Sequence, residues 1–402
     1  MIHFFVVSLV NLLQNTYFCI ADYMLSKMRN NSTISEKSQN KKNPYHMWLL
    51  MPPVILVMAI SDIIICNGVF PSLDLTWKWM VCLPTAIILC LMVAGILSQG
   101  GKRCLQLFIG SLLFLAVPKL VFSVFAWPFG WVCGLIAAAI VIILFTYATT
   151  YGWLRLTVKE DTLVFPDLPE AFDGYRILQI SDFHIGTFAG HPEFIEKMVT
   201  TANGLNADLI VFTGDLINTS VSEIKPFIQM LSQLKAKDGK LSILGNHDYM
   251  DTQNVVRAEK EMGWNLLMDS HVEMHKGQHT IYIIGVEHTG KPPFESRGNL
   301  KEALAGVPSD AFKILLTHDP SHWRMEVLGT TDIQLSLSGH THGGQLKMGR
   351  LSPAGLICRE FAGIYTQQGR VLYVSMGVGG RIPFRLGAWP EINLLTLRNK
   401  LS

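Results

Sequence analysis

Hydrophobic positions along the 402-residue chain fall into two regimes. Between residues 47 and 152 apolar side chains run on almost without interruption. Four stretches, 47–67, 80–98, 105–127 and 131–151, are long enough to span a bilayer as helices, which takes about 20 residues. Trp48, Trp77, Trp79, Trp127, Trp131 and Trp153 gather near their ends, where indole rings anchor at a membrane interface. The pattern predicts an all-α transmembrane region of four helices at 47–152. Fully buried helices of a soluble protein are the alternative, and four successive runs with almost no charge fit it poorly.

From residue 153 the rhythm shortens. Runs at 176–180, 209–212 and 241–244 read as buried strands, and 191–202 and 221–236 carry helical periodicity between them. That βαβαβ order predicts a parallel sheet. Further strands are expected at 280–285, 313–317, 333–336, 370–375 and 392–397, with fewer helices between. Two sheets packed face to face, with helices outside, accommodate both regimes, so the expected class for 153–402 is α/β. Residues 1–46 are harder to read. The apolar run 2–10 is interrupted by Asn11, Gln14 and Asn15, without the basic start or cleavage site of a secretory signal. An interfacial helix, a fifth span and an upstream start codon all remain open there, and 26–43 reads as a polar, basic arm.

Charge sharpens this division. Residues 47–152 hold only Asp62, Asp74, Lys78, Lys102, Arg103 and Lys119, so the net charge of +2 averages two unlike halves and gives no reason to expect nucleic-acid binding. Lys37, Lys41, Lys42, Lys102, Arg103, Arg155 and Lys159 fall on one side of the four crossings, against Lys78 beside Asp74 on the other. The excess of basic residues predicts that this side, with the domain at 153–402, is cytoplasmic. Asp62 and Lys119 are expected to form a pair between helices, or to snorkel, and not to mark a transport path. Cys358 is the one cysteine of the domain, so no internal disulfide is expected there, which fits a reducing compartment.

Candidate chemistry lies just past the expected strands. Asp182 and His184 follow 176–180, Asp215 follows 209–212, Asn246, His247 and Asp248 follow 241–244, His318 follows 313–317, and His340 and His342 follow 333–336. In open α/β sheets, ligands bind at the carboxyl ends of strands. Carboxylate, amide and imidazole suit Mn, Fe, Zn or similar divalent ions, and no cysteine joins the set. Asp182 and His184, two apart, can meet one ion, and His340 and His342 can serve one ion each. Asp215, with two carboxylate oxygens, is the natural bridge between two ions.

Together, Asp-x-His, Gly-Asp, Gly-Asn-His-Asp, a later His and Gly-His-Thr-His, in that order over 174–398, resemble the calcineurin-like metallophosphoesterase superfamily. Gly-His-Thr-His-Gly-Gly-Gln at 339–345 is further similar to its bacterial membrane-associated branch, which includes phosphodiesterases and a UDP-2,3-diacylglucosamine pyrophosphatase of lipid A biosynthesis. The resemblance implies a four-layer αββα sandwich and two divalent metal ions. Asp182, His184 and His342 would hold the first, Asn246, His318 and His340 the second, with Asp215 between them. His247 would face the substrate, with Asp248 orienting its ring. The implied reaction is hydrolysis of a phosphate ester or diphosphate by metal-activated hydroxide, without a phosphoenzyme. A phosphorylated-lipid or nucleotide-type substrate at a bacterial inner membrane, as for an integral membrane protein, completes the picture.

Several residues carry weaker signals. Arg381 and Arg385, in a glycine-rich loop, suit phosphate binding, or else a solvated loop or structural ion pair. Glu287 and His288 also end a strand, as a further ligand or as a polar loop, and Trp323 and Trp389 read as packing residues. Two other functions compete with the first: a phosphoprotein phosphatase or soluble-nucleotide phosphodiesterase with an incidental anchor, and a non-enzymatic membrane scaffold. The complete ligand set argues against the scaffold.

Overall fold

The computed structural model describes residues 55–97, 110–290 and 296–400. The chain divides into two compact units, Met1–Tyr147 and Ala148–Ser402.

The first unit is helical: α1 (Ile55–Val69), α2 (Leu75–Leu97), α3 (Leu112–Phe129) and α4 (Trp131–Thr150). Among the described residues, Leu112–Phe129 and the apolar stretch Trp131–Leu154 are long and apolar enough to cross a membrane. Residues 47–54, 98 and 105–109 of the expected spans, the basic pair Lys102 and Arg103, and the whole segment 1–46 lie outside the described residues. Helix α2 begins at Leu75, ahead of the expected residue 80. Asp74 starts it, because its carboxylate accepts the Trp77 N–H at 3.2 Å and satisfies a donor the first turn would leave open. Lys119 of α3 is hydrogen-bonded to Asp62 of α1 and also donates to Val81 O (2.7 Å) and Thr85 Oγ1 (3.1 Å) of α2, while Thr85 donates to Asp62 Oδ2 (2.7 Å). The expected charge pair is thus a three-helix clamp whose polar groups satisfy one another.

The second unit holds two six-stranded sheets. In the first, strands β1 (Thr157–Val164), β12 (Glu391–Arg398), β2 (Arg176–Ile180), β3 (Leu209–Phe212), β4 (Lys240–Ser242) and β5 (Asn265–Leu266) lie in that order. In the second the order is β10 (Gly363–Gln367), β11 (Arg370–Val374), β9 (Leu335–Ser338), β8 (Phe312–Leu316), β7 (His279–Gly285) and β6 (Ser270–Lys276). Strands β2 to β5 are mutually parallel, as are β11, β9, β8 and β7. Successive residues of a strand face opposite sides, so a strand covered on both faces reads as an unbroken apolar run. In β3, Leu209 and Val211 join the core between the sheets, against Ile281, Ile283, Leu335 and Leu337. Ile210 and Phe212 face the other way, toward Phe194, Ile195, Met198 and Val199 of helix α5 (Pro192–Gly204). A third core covers the outer face of the second sheet, with Trp323, Val327 and Leu300 against Ile284, Leu315 and Val374. Three apolar layers between four layers of structure are the αββα sandwich that the resemblance implies.

Two expectations need correction. The stretch 221–236 is not one helix: it breaks into the turns Val221–Glu223 and Lys225–Phe227 and the short helix α6 (Ile228–Leu231). Pro226 has no N–H and its ring would clash one turn back in a continuous helix. Trp153 is not an interfacial anchor but is 7% exposed in the first core, stacked on Phe188 at 5.5 Å.

Candidate metal centre

The parallel strands of both sheets end at one edge, and the loops leaving them are laced together. Gln179 donates to Ser338 O (2.9 Å), the Nδ1–H of His318 to Thr213 O (2.7 Å), and the His340 N–H to the Asp182 carboxylate (3.1 Å). The chain turns sharply to achieve this. Asp182, His184, Asp215, His340 and His342 take φ of 50°, 44°, 63°, 71° and 52°, the left-handed region that non-glycine residues avoid. Such strain persists where surrounding structure over-determines it, characteristically at functional sites. Close approach fixes one glycine outright: a Cβ on Gly339 would lie 2.2 Å from Asp182 Oδ2.

Three groups of ligand-type atoms result, each within 4.8 Å of one another: Asp182, His184 and His342; Asp215, His318 and His340; and His184, Asp215 and His247. One oxygen joins them, since Asp215 Oδ2 lies 3.4 Å from both His184 Nε2 and His318 Nε2. Asn246 Oδ1 sits 3.2 Å from His318 Nε2, and His340 Nδ1 the same distance from that nitrogen. His342 Nε2 is 3.7 Å from Asp182 Oδ1. The structure therefore gathers all seven residues expected as ligands.

The donor set fits divalent cations. Both ring nitrogens of the fully buried His184, and Nδ1 of His342, make no hydrogen bond, although buried polar atoms almost always have a partner. Imidazole nitrogens converging on carboxylates, without thiolate, suit borderline-hard ions.

Electrostatics describe the same demand. Burial works against the Asp215 carboxylate, yet His318 and His184 beside it hold its pKa well below the usual range. Burial also opposes the His318 imidazolium, but Asp215 and then Asp182 push its pKa up to about 10. Burial depresses His342 and His340, reinforced by neighbouring imidazoles. His318 is thus drawn toward positive charge while His340 and His342 are pushed toward the neutral form, as in a negative pocket suited to cations.

His247 stands at the rim of these groups. Its Nδ1 is 2.9 Å from Asn218 O, so Nε2 is left for the site. Asp248 does not orient this ring, contrary to expectation. Its buried carboxylate accepts the N–H groups of Asp215 (2.8 Å), Leu216 (2.9 Å), Ile217 (3.3 Å) and Gly245 (2.9 Å), so it shapes the loop that presents Asp215. The Asn218 carbonyl takes the orienting part; main-chain acceptors carry no residue signature, which is why the sequence hid it.

Arg385 is neither a phosphate ligand nor part of a solvated loop. It is 1% exposed, and its guanidinium donates to the carbonyls of His342 (3.2 Å), Met376 (2.8 Å), Ala388 (3.0 Å), Gly377 (3.4 Å) and Gly379. Arg381 is exposed, and its charge adds to those depressing the His247 imidazolium. His288, 1% exposed, lies with its ring 5.8 Å from that of His318 and 6.0 Å from that of His340. Trp323 is fully buried, as expected of a packing residue.

Fold and site together describe a metallophosphoesterase, and sequence comparison agrees. Residues 175–344 match the calcineurin-like phosphoesterase family. A Bacillus subtilis protein named as an uncharacterized metallophosphoesterase, YkuE, is 32% identical over 270 residues, 62% of this chain and 90% of that protein. Proteins named "transmembrane protein with metallophosphoesterase domain" are 31% identical in Danio rerio and in Bos taurus, over 58% of this chain. The chain covers 55% and 54% of those two, about half their length. The chain belongs to the calcineurin-like phosphoesterase family.

Proposed function

We propose that the chain is a membrane-held, metal-dependent hydrolase of phosphate esters or diphosphates, acting on a lipid-linked substrate. The observation that carries the hydrolase reading is the Asp215 carboxylate set equally between His184 and His318, with the remaining ligand-type residues grouped to either side. In this reading Asp182, His184 and His342 would hold one divalent ion and Asn246, His318 and His340 the other, with the Asp215 carboxylate lying between the two groups. Ions bound there supply Lewis acidity toward phosphoryl oxygens and toward water.

The chain's own residues then divide the remaining work. The buried Asp248 carboxylate fixes the main chain of 215–217, which keeps Asp215 in its strained conformation. Burial, aided by His184 and Arg381 and opposed by Asp215, lowers the pKa of the His247 imidazole. An anionic phosphoryl group against its Nε2 would favour the imidazolium, which can hold that phosphate or give a proton to the leaving oxygen. The Nδ1–H bond to Asn218 O suits either state, so proton gain needs no ring movement. Arg381 adds a cation at the approach.

The lipid-linked substrate is supported by the apolar helices ahead of the domain and by the transmembrane naming of two relatives. UDP-2,3-diacylglucosamine is one candidate, from the sequence resemblance alone. The boundaries 1–46, 47–152 and 153–402, and a cytoplasmic domain at a bacterial inner membrane, belong to the same proposal. The test is hydrolysis by the Mn²⁺-loaded full chain in mixed micelles, with lipid-linked diphosphates and bis(p-nitrophenyl) phosphate as substrates. Turnover of both is expected, with the lipid substrate preferred. Turnover of the soluble diester but of no lipid-linked substrate would leave the soluble-nucleotide or phosphoprotein alternative in its place.

A further inference from the structure

The strand-end loop that carries His340 and His342 continues into a surface segment that the reaction does not use. Of the six large apolar or aromatic side chains more than half exposed among the described residues of the second unit, four fall here: Met348 (76%), Leu351 (71%), Leu356 (52%) and Ile357 (75%). The segment is built firmly. Met348 and Leu351 exchange main-chain hydrogen bonds (2.8 and 3.0 Å) around Gly349, and Ser352 Oγ donates to Gly343 O (2.7 Å). Thr341, between the two histidines, donates to Phe361 O (2.6 Å). The apolar side chains are thus held outward on a frame fixed to the metal-centre loop. Contiguous exposed apolar groups mark an interaction surface.

Charge indicates which surface. No acidic residue occurs from 343 to 359, while Lys347, Arg350 and Arg359 interleave with the apolar positions. The next residue, Glu360, is 4% exposed; its Oε1 takes Arg324 at 2.6 Å and lies 3.8 Å from the Nε of Arg359, whose own side chain stays 76% exposed. Aliphatic side chains among cations are the composition of an interfacial anchor on anionic lipid. Within the second unit, Leu386 donates to Gln345 O (3.0 Å) and accepts from Lys347 N–H (2.8 Å), which fixes the root of the exposed segment to its neighbouring loop.

We propose that segment 346–359 docks on an anionic lipid surface, with Met348, Leu351 and Ile357 among the acyl chains and Arg350 and Arg359 at headgroup level. Docked so, it sets the adjacent metal centre to receive substrates from that surface. The inference rests on the membrane reading above and not on the assignment of the metal ligands.

A photoreactive benzophenone side chain placed at Met348, at Ile357, or at Gln278 tests it. Gln278 is an exposed control in the turn between β6 and β7, at the opposite end of the strands. The full chain is reconstituted in phosphatidylcholine vesicles with or without about 30% phosphatidylglycerol, enough to give an anionic surface. Irradiation should give phospholipid adducts at 348 and 357 and not at 278, with more from anionic vesicles. Arg350→Glu with Arg359→Glu should reduce them on the order of tenfold, while soluble-diester hydrolysis stays unchanged and reports an intact fold. Absence of lipid adducts at 348 and 357, or cross-links there to a second copy of the chain, would overturn the proposal. Adducts from a protein inactive toward every phosphoester would keep the docking surface and remove the hydrolase reading.

Discussion

Asp215, His247 and His318 show how position sets what each side chain can do. With Nδ1 engaged by Asn218 O, His247 acts through Nε2 alone. His247→Ala should therefore keep its metal, lose about 10²–10⁴ in rate on esters with poor leaving groups, and lose far less on p-nitrophenyl esters, which need no proton. Equal losses on both would remove the proton-donor role. His318 bears on pH. Its pKa of about 10 in the metal-free pocket means that a cation must displace a proton below that pH. Apparent metal affinity should rise toward tenfold per pH unit between about 7 and 9, measured by chelator competition. An affinity flat over that range would contradict the assignment of His318 as a ligand. The candidate ligand residues that the structure gathers were legible in the sequence because metal chemistry admits few residue types and the strand pattern placed them at one edge. The partners of His247 and Asp248 were not, because they are main-chain groups that any residue could supply.

The loop 376–389 illustrates the same limit among structural elements. An arginine beside glycine and proline reads alike whether it meets phosphate, solvent or buried carbonyls. Here Arg385 closes the loop onto His342, and Arg381 stays outside. Arg385→Ala should leave several carbonyls buried without donors and cost about 1–3 kcal/mol or more of stability. Arg381→Ala should leave the melting temperature unchanged and raise KM severalfold. Thermal melts with steady-state kinetics separate the two, and the reverse pattern would exchange their roles. Strands β2 and β3 were legible to the residue because both faces are buried. The strands β1, β6 and β10 were missed because their polar, partly exposed positions break the apolar run. Pro226 could have warned against a continuous helix at 221–236.

Across the chain, a helical unit whose described residues include a part-buried charge cluster precedes an αββα sandwich whose strained strand ends assemble seven ligand-type residues. In the proposed function the first unit confines the chemistry to a surface. That arrangement explains why composition, averaged over the chain, said least, and why its division along the sequence said most. Metal content and hydrolysis measured together on the purified full chain and on Asp215→Ala are the most direct check. The wild-type chain should hold about two divalent ions and hydrolyse phosphoesters only when they are present. Asp215→Ala should lose metal and at least about 10²–10³ in rate. A folded wild-type chain that binds no divalent ion at saturating Mn²⁺, or an Asp215→Ala chain that keeps full metal and full rate, would contradict the account.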